Sequence, residues 1–118
     1  MSKLLLKGGT VVAEGVSRKA DLLVADGKIV AIEESVVADD QTEVIDAEGC
    51  IITYGLADVH VHLREPGYSS KETIATGTHA AARGGVTTVC SMPNLQPAPD
   101  APETIAIEQQ MIDEQAVI

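Results

Sequence analysis

Short apolar runs, broken by turn residues, fill the first half of the chain. Lys3 to Lys7 is the first run, followed by Gly8-Gly9 and a second run at Thr10 to Ala13. Ala20 to Ala25 and Lys28 to Glu33 flank Asp26-Gly27, a pair that closes tight hairpins because both positions accept positive φ. In the second of these runs Ile29 and Ala31 alternate with Val30 and Ile32, so both faces of that strand should be at least partly covered. Glu43 to Asp46 and Cys50 to Thr53 are two more short strands around Ala47-Glu48-Gly49. The expectation for residues 1–54 is a small β domain, sandwich-like and mostly antiparallel, and marginal in stability by itself.

Near Gly55 the period changes. Ala57 to His62 is a mostly apolar strand, and Val86 to Met92 is a second one rich in β-branched residues. Between them Ser69 and Glu72 have the spacing of a capping box at the head of a helix running to about Arg83, with Gly84-Gly85 as its stop. Pro102 opens a second helix to about Gln115, amphipathic through Ile105, Glu108 and Ile112. Ala116-Val117-Ile118 reads as the beginning of a third buried strand. The order strand, helix, strand, helix implies a parallel sheet. A (β/α)8 barrel uses about 31 residues per unit, so Ala57 to Ile118 is about two units. The fold class expected is therefore α/β: a β domain at 1–54, then the opening of a (β/α)8 barrel at 55–118, in a piece of a longer protein.

Composition narrows the chemistry. The 118 residues carry a formal net charge of −10, with 8 Lys and Arg against 18 Asp and Glu, which argues against non-specific nucleic-acid binding. With two Tyr and no Phe or Trp, a base-stacking platform is also disfavoured and the core falls to Val, Ile, Leu and Ala. No apolar run is long enough to span a membrane, and the first eight residues have too short an apolar stretch for a signal peptide, so the cytosol is the expected location. Cys50 and Cys90, without a CxxC spacing, read as buried thiols.

The stretch Asp58-Val59-His60-Val61-His62-Leu63-Arg64-Glu65-Pro66-Gly67 carries the candidate chemistry. On a strand Asp58, His60 and His62 share one face, and imidazoles at i and i+2 stand roughly 7 Å apart at their Cα atoms, close enough to meet on one metal ion. Asp58 lies about 13 Å from His62 along an extended chain, so it suits anchoring or orienting better than ligation. Arg64 offers a bidentate fork for a carboxylate, and Asn94, just past the second strand, an amide on the same rim. By residue type alone the alternatives stay open. H-x-H recurs by chance, Arg64 can be a surface partner of Glu65, Asn94 can be a turn residue, and His79 a packing or surface histidine.

The block Gly55 to Gly67 resembles the signature of dihydroorotases in the amidohydrolase superfamily. The similarity continues through Lys71-Glu72-Thr73-Ile74, Ala80 to Val89 and Met92-Pro93-Asn94. Hydantoinases and allantoinases share D-x-H-x-H but usually lack the Leu-Arg-Glu-Pro-Gly continuation. The resemblance implies that His60 and His62 bind zinc, one or two ions per full-length subunit. It implies that Arg64 and Asn94 hold the substrate carboxylate, with His62, Leu63 and Arg64 lining the substrate. The reaction implied is reversible closure of N-carbamoyl-L-aspartate to L-dihydroorotate in pyrimidine synthesis, by a homo-oligomer, with aspartate transcarbamoylase as a further partner the resemblance suggests. Two departures stand out: Tyr54 where the family commonly has Pro, and Ala57 where a larger aliphatic is usual. The family's remaining ligands and its catalytic aspartate are expected beyond residue 118, which would leave this chain inactive alone. Two other functions fit the same residues: a non-catalytic subunit partnering a transcarbamoylase, and a cyclic amidase acting on hydantoin or allantoin.

Overall fold

The computed structural model describes residues 2–118 and divides into two compact units, Met1–Tyr54 and Gly55–Ile118. The first is one five-stranded sheet: β1 (Lys3–Ala13), β2 (Val16–Ala25), β3 (Lys28–Glu33), β4 (Thr42–Asp46) and β5 (Ile51–Ile52). β1 is central. It pairs antiparallel with β2 on one side, and on the other parallel with β4 through Lys3–Lys7 and with β5 through Thr10–Val11. The sheet is thus mixed rather than mostly antiparallel. The two apolar runs that frame Gly8-Gly9 form one continuous strand with a bulge, because Lys7 and Gly8 together oppose Asp21 of β2. The Asp21 carboxylate fills the gap by accepting from the Gly8 N–H at 2.7 Å and the Val36 N–H at 2.9 Å. Those two bonds, Val36 first, hold its carboxyl below the usual Asp range, against a smaller opposing effect of burial.

The β2–β3 turn has φ of 49° at Asp26 and 75° at Gly27, as the Asp-Gly pair predicts. β3 is the sheet edge: Ile29 and Val30 are exposed while Ala31 and Ile32, one on each face, are half-buried, so both faces are partly covered and only toward the end of the strand. The core of this unit is Leu5, Val11, Ala20, Leu22 and Ala47.

The second unit contains β6 (Leu56–Val61), α1 (Ile74–Arg83), β7 (Val86–Ser91) and α2 (Pro102–Gln115). β6 and β7 pair in parallel, with α1 packed on β7 and α2 packed on α1. The helix start differs from the Ser69–Glu72 expectation. Thr73 is the cap, its hydroxyl accepting from the Thr76 N–H at 3.0 Å while Thr76 Oγ1 accepts from the Thr73 N–H. Glu72 lies outside the helix and accepts from the Thr76 hydroxyl and the Thr73 N–H, bonds that lower its carboxyl pKa. Leu63, Ile74, Thr78 and Leu95 form the core. α1 comes close to Leu63 because residue 77 is Gly: a Cβ there would stand 2.6 Å from Leu63 Cδ2.

Three other expectations are corrected. α2 buries none of its residues, and Ile105 and Ile107 are exposed, since the helix touches only α1 among the other elements. Ala116 to Ile118 form no strand; Val117 N–H instead donates to Thr78 Oγ1 at 3.3 Å. Cys50 and Cys90 are free thiols and both exposed: Cys50 leaves a turn, and Cys90 lies on an open face of the two-stranded sheet.

Candidate metal and carboxylate site at the ends of β6 and β7

The register of β6 and β7 places the site. Val61 pairs with Ser91, and the Met92 N–H donates to the Val61 carbonyl at 2.8 Å. His62 therefore leaves β6 beside Met92, two residues before Asn94. Between Asp58 and Val61 the register shifts, and the cause is local. The Asp58 carboxylate accepts from the His60 N–H at 3.0 Å, giving that N–H a partner within its own strand. Asp58 thus anchors the strand and holds the backbone of a site residue.

The His60 and His62 rings meet with centroids 5.2 Å apart and planes at 69°. Two imidazole nitrogens bound to one tetrahedral ion at about 2.0–2.1 Å put their ring centroids about 5 Å apart, so the spacing fits a shared ion. Both side chains are exposed and open to a ligand. Among the described residues no group of three or more His, Cys, Asp or Glu converges, so the pair supplies two of the four ligands that zinc takes. His62 Nδ1 lies 2.9 Å from Asn94 Oδ1. An amide oxygen only accepts, so this contact is a hydrogen bond in the tautomer that carries its proton on Nδ1.

Arg64 and Leu63 part company here. Arg64 is half-buried at φ of 65°, a left-handed conformation that costs a non-glycine residue about 1 kcal/mol or more. The Tyr68 N–H donates to its carbonyl at 2.9 Å, closing the turn that holds it. It forms no ion pair with Glu65 among the described residues. Leu63 is 2% exposed, its side chain packed against α1, so only its backbone is left to face the opening beside His62 and Arg64. His79 is exposed on α1 and takes no part.

Two residues that sequence reasoning missed hold the rim. Glu65 is 7% exposed and accepts from the Ile74 N–H at 2.9 Å, binding the loop after β6 to the start of α1. Its charge also suits the positive end of the helix. Gly67 has φ of 103°, and a Cβ there would lie 2.5 Å from the Gln96 carbonyl oxygen. With the Gln96 N–H donating to the Pro66 carbonyl at 3.1 Å, this contact joins the loop of Arg64 to the loop of Asn94. The signal was available: an acidic residue and a glycine flank Pro66, directly after Arg64.

The family model described as dihydro-orotase-like matches residues 49–118. The chain belongs to this family. Dihydroorotase from Bacillus cereus (strain B4264) is 52% identical over 116 residues, covering 98% of this chain and 27% of the relative. The chain thus spans about a quarter of the length of the curated relatives it matches. Among solved structures, L-hydantoinase (dihydropyrimidinase) from Arthrobacter aurescens matches with a TM-score of 0.89 at 26% identity, over 98% of this chain and 26% of that one. Dihydropyrimidinase from Brevibacillus agri NCHU1002 matches with a TM-score of 0.84 at 35% identity, over 98% and 25% respectively. The mixed α/β fold is thus shared with structures of cyclic amidohydrolases.

Proposed function

We propose that this chain carries the first two metal ligands and the carboxylate clamp of a zinc-dependent dihydroorotase, which interconverts N-carbamoyl-L-aspartate and L-dihydroorotate. The observation that carries the reading is the meeting of His60, His62 and Asn94 at the exit of two parallel strands, with Arg64 held in the adjoining turn. In parallel α/β sheets and barrels ligands bind at that end of the strands. Leu56 and Val59 of β6 are 58% and 72% exposed, and parallel strands normally have both faces covered. That exposure supports reading β6 and β7 as part of a larger barrel supplied by a chain of the relatives' length.

When bound by His60 and His62, zinc supplies Lewis-acid polarisation of a ring carbonyl and acidifies a water toward pKa 7. The chain's own residues perform the rest of the work at this rim. Arg64 presents paired N–H donors to the substrate carboxylate, and its charge favours an anionic substrate. The Asn94 amide nitrogen donates to the same carboxylate while its oxygen holds His62. Asp58 keeps the His60 backbone in place, and Glu65 fixes the turn that aims Arg64.

A dihydroorotase reading is favoured over a hydantoinase one by Arg64, since hydantoin has no carboxylate for it to bind. It is favoured over a non-catalytic scaffold because both histidines are present. The test is turnover of dihydroorotate against hydantoin by a protein of the relatives' length carrying this sequence. Dihydroorotate should be preferred, and Arg64→Ala should raise KM far more for dihydroorotate than for hydantoin. A preference for hydantoin, or no effect of Arg64→Ala on that ratio, would refute the reading. The 118-residue chain alone should show no turnover above background.

A further inference from the structure

We propose that Asn94 is a positioning residue for His62: its side-chain oxygen fixes the imidazole with the proton on Nδ1, so that Nε2 faces outward as the metal-binding atom. The inference rests on the proposed metal site, and it gives Asn94 a second task beside holding a substrate carboxylate. Its basis is the 2.9 Å contact between His62 Nδ1 and Asn94 Oδ1. Neutral imidazole exists as two tautomers, and only the nitrogen without a proton can bind a metal. A carbonyl oxygen beside Nδ1 accepts only from the Nδ1–H form, so the contact selects that tautomer before any ion arrives. It also stops rotation of the ring about its Cβ–Cγ bond.

The two residues reach each other by construction. Met92 N–H on the Val61 carbonyl fixes β7 against the exit of β6, and Gln96 N–H on the Pro66 carbonyl fixes the far side of the Asn94 loop. Asn94 is thus clamped on both sides, and Gly67 allows the loops to approach. Among the described residues the His60 ring has no such side-chain hydrogen bond: it meets the His62 ring, with the centroids 5.2 Å apart, while its backbone N–H is held by Asp58. One imidazole is therefore fixed and its neighbour is left free to adjust. Residues that orient metal-bound histidines typically contribute about 10–100-fold in metal affinity.

The test is long-range 1H–15N correlation on the histidine-labelled imidazoles of a protein of the relatives' length carrying this sequence, without metal, at a pH where the rings are neutral. His62 should show a protonated Nδ1 and a bare Nε2, and His60 a mixture of tautomers. In Asn94→Ala, His62 should lose that selection and become a mixture like His60. Asn94→Asp, which keeps an accepting oxygen, should restore it, showing that the acceptor and not general packing is responsible. Addition of zinc chloride should then move the Nε2 resonances of both rings, at about tenfold higher zinc concentration in Asn94→Ala than in the unmodified chain. An Nε2–H tautomer at His62 in the unmodified chain, or an Asn94→Ala variant with unchanged tautomer and zinc response, would overturn the inference. Zinc that moves neither ring, with the tautomer selection intact, would instead remove the proposed metal site and support the assignment of Asn94 as the residue that sets His62.

Discussion

Replacing Glu65 by Ala should loosen the start of α1 and with it the turn that carries Arg64. Glu65 is 7% exposed, and its carboxylate accepts from the N–H of Ile74, a residue only 1% exposed. Removing the acceptor leaves that N–H buried and unpaired, at a cost of about 1–3 kcal/mol. Losing the negative charge at the positive end of the helix adds about 0.3–1 kcal/mol. The combined effect is about 2 kcal/mol or more, or about thirtyfold in the opening equilibrium at 1.4 kcal/mol per tenfold. Glu65→Gln keeps an accepting oxygen and loses only the charge, so it should cost about 1 kcal/mol or less, about fivefold. Amide hydrogen exchange at Gly77 and Thr78 reads the opening directly, because both amides lie within the first turns of α1. Exchange about thirtyfold faster in the Ala variant and at most about fivefold faster in the Gln variant would agree. Unchanged exchange in Glu65→Ala, or equal acceleration by both substitutions, would refute the role assigned to this carboxylate.

Other outcomes follow from the same contacts. Thr73→Ala should destabilise α1 by about 1 kcal/mol and Ser69→Ala by much less, measured by the same exchange experiment, because Thr73 and not Ser69 is the cap. Gly67→Ala should cost about 1–3 kcal/mol in urea unfolding of the second unit, since φ of 103° and a Cβ 2.5 Å from the Gln96 oxygen both oppose it. The first unit should lose stability in acid. Asp39 is held down to about 2 by hydrogen bonds from Lys3, at 2.5 Å, and from the Thr42 hydroxyl, and Asp21 is lowered by the Val36 and Gly8 amides. Folded pKa values below the unfolded value of about 3.9 stabilise fully above that pH and progressively less as pH falls toward 2. Thermal unfolding followed by circular dichroism from pH 7 to pH 2 should show that decline, and Asp39→Asn with Asp21→Asn should flatten it. A decline equally steep in the double variant would contradict the assignment.

Where local chemistry dictates local geometry, the sequence was a good guide. Asp26-Gly27 closes the turn it predicts, Pro102 opens α2, and the H-x-H spacing brings the two rings together. Failures occurred where several residues compete for one task or where a distant partner decides. Ser69, Thr73 and Glu72 all lie near a helix start, and the reciprocal bonds of Thr73 with Thr76 make Thr73 the cap. β4 and β5 both run parallel to β1 along one edge of it, a pairing between residues far apart in the chain. Exposure of Cys90, Val59 and Ile105 depends on what lies over each face, which residue type alone does not state. Asn94 shows the same limit at the site: its amide suggested a substrate contact, while the hold on His62 required the register of β6 against β7.

The central claim is most directly tested by zinc-edge anomalous diffraction from crystals of a protein of the relatives' length that contains this sequence. A peak about 2.0–2.1 Å from one ring nitrogen each of His60 and His62, with Arg64 facing the same opening, is the predicted result. A peak with ligands elsewhere in the protein, or the two imidazoles turned away from any bound ion, would contradict it.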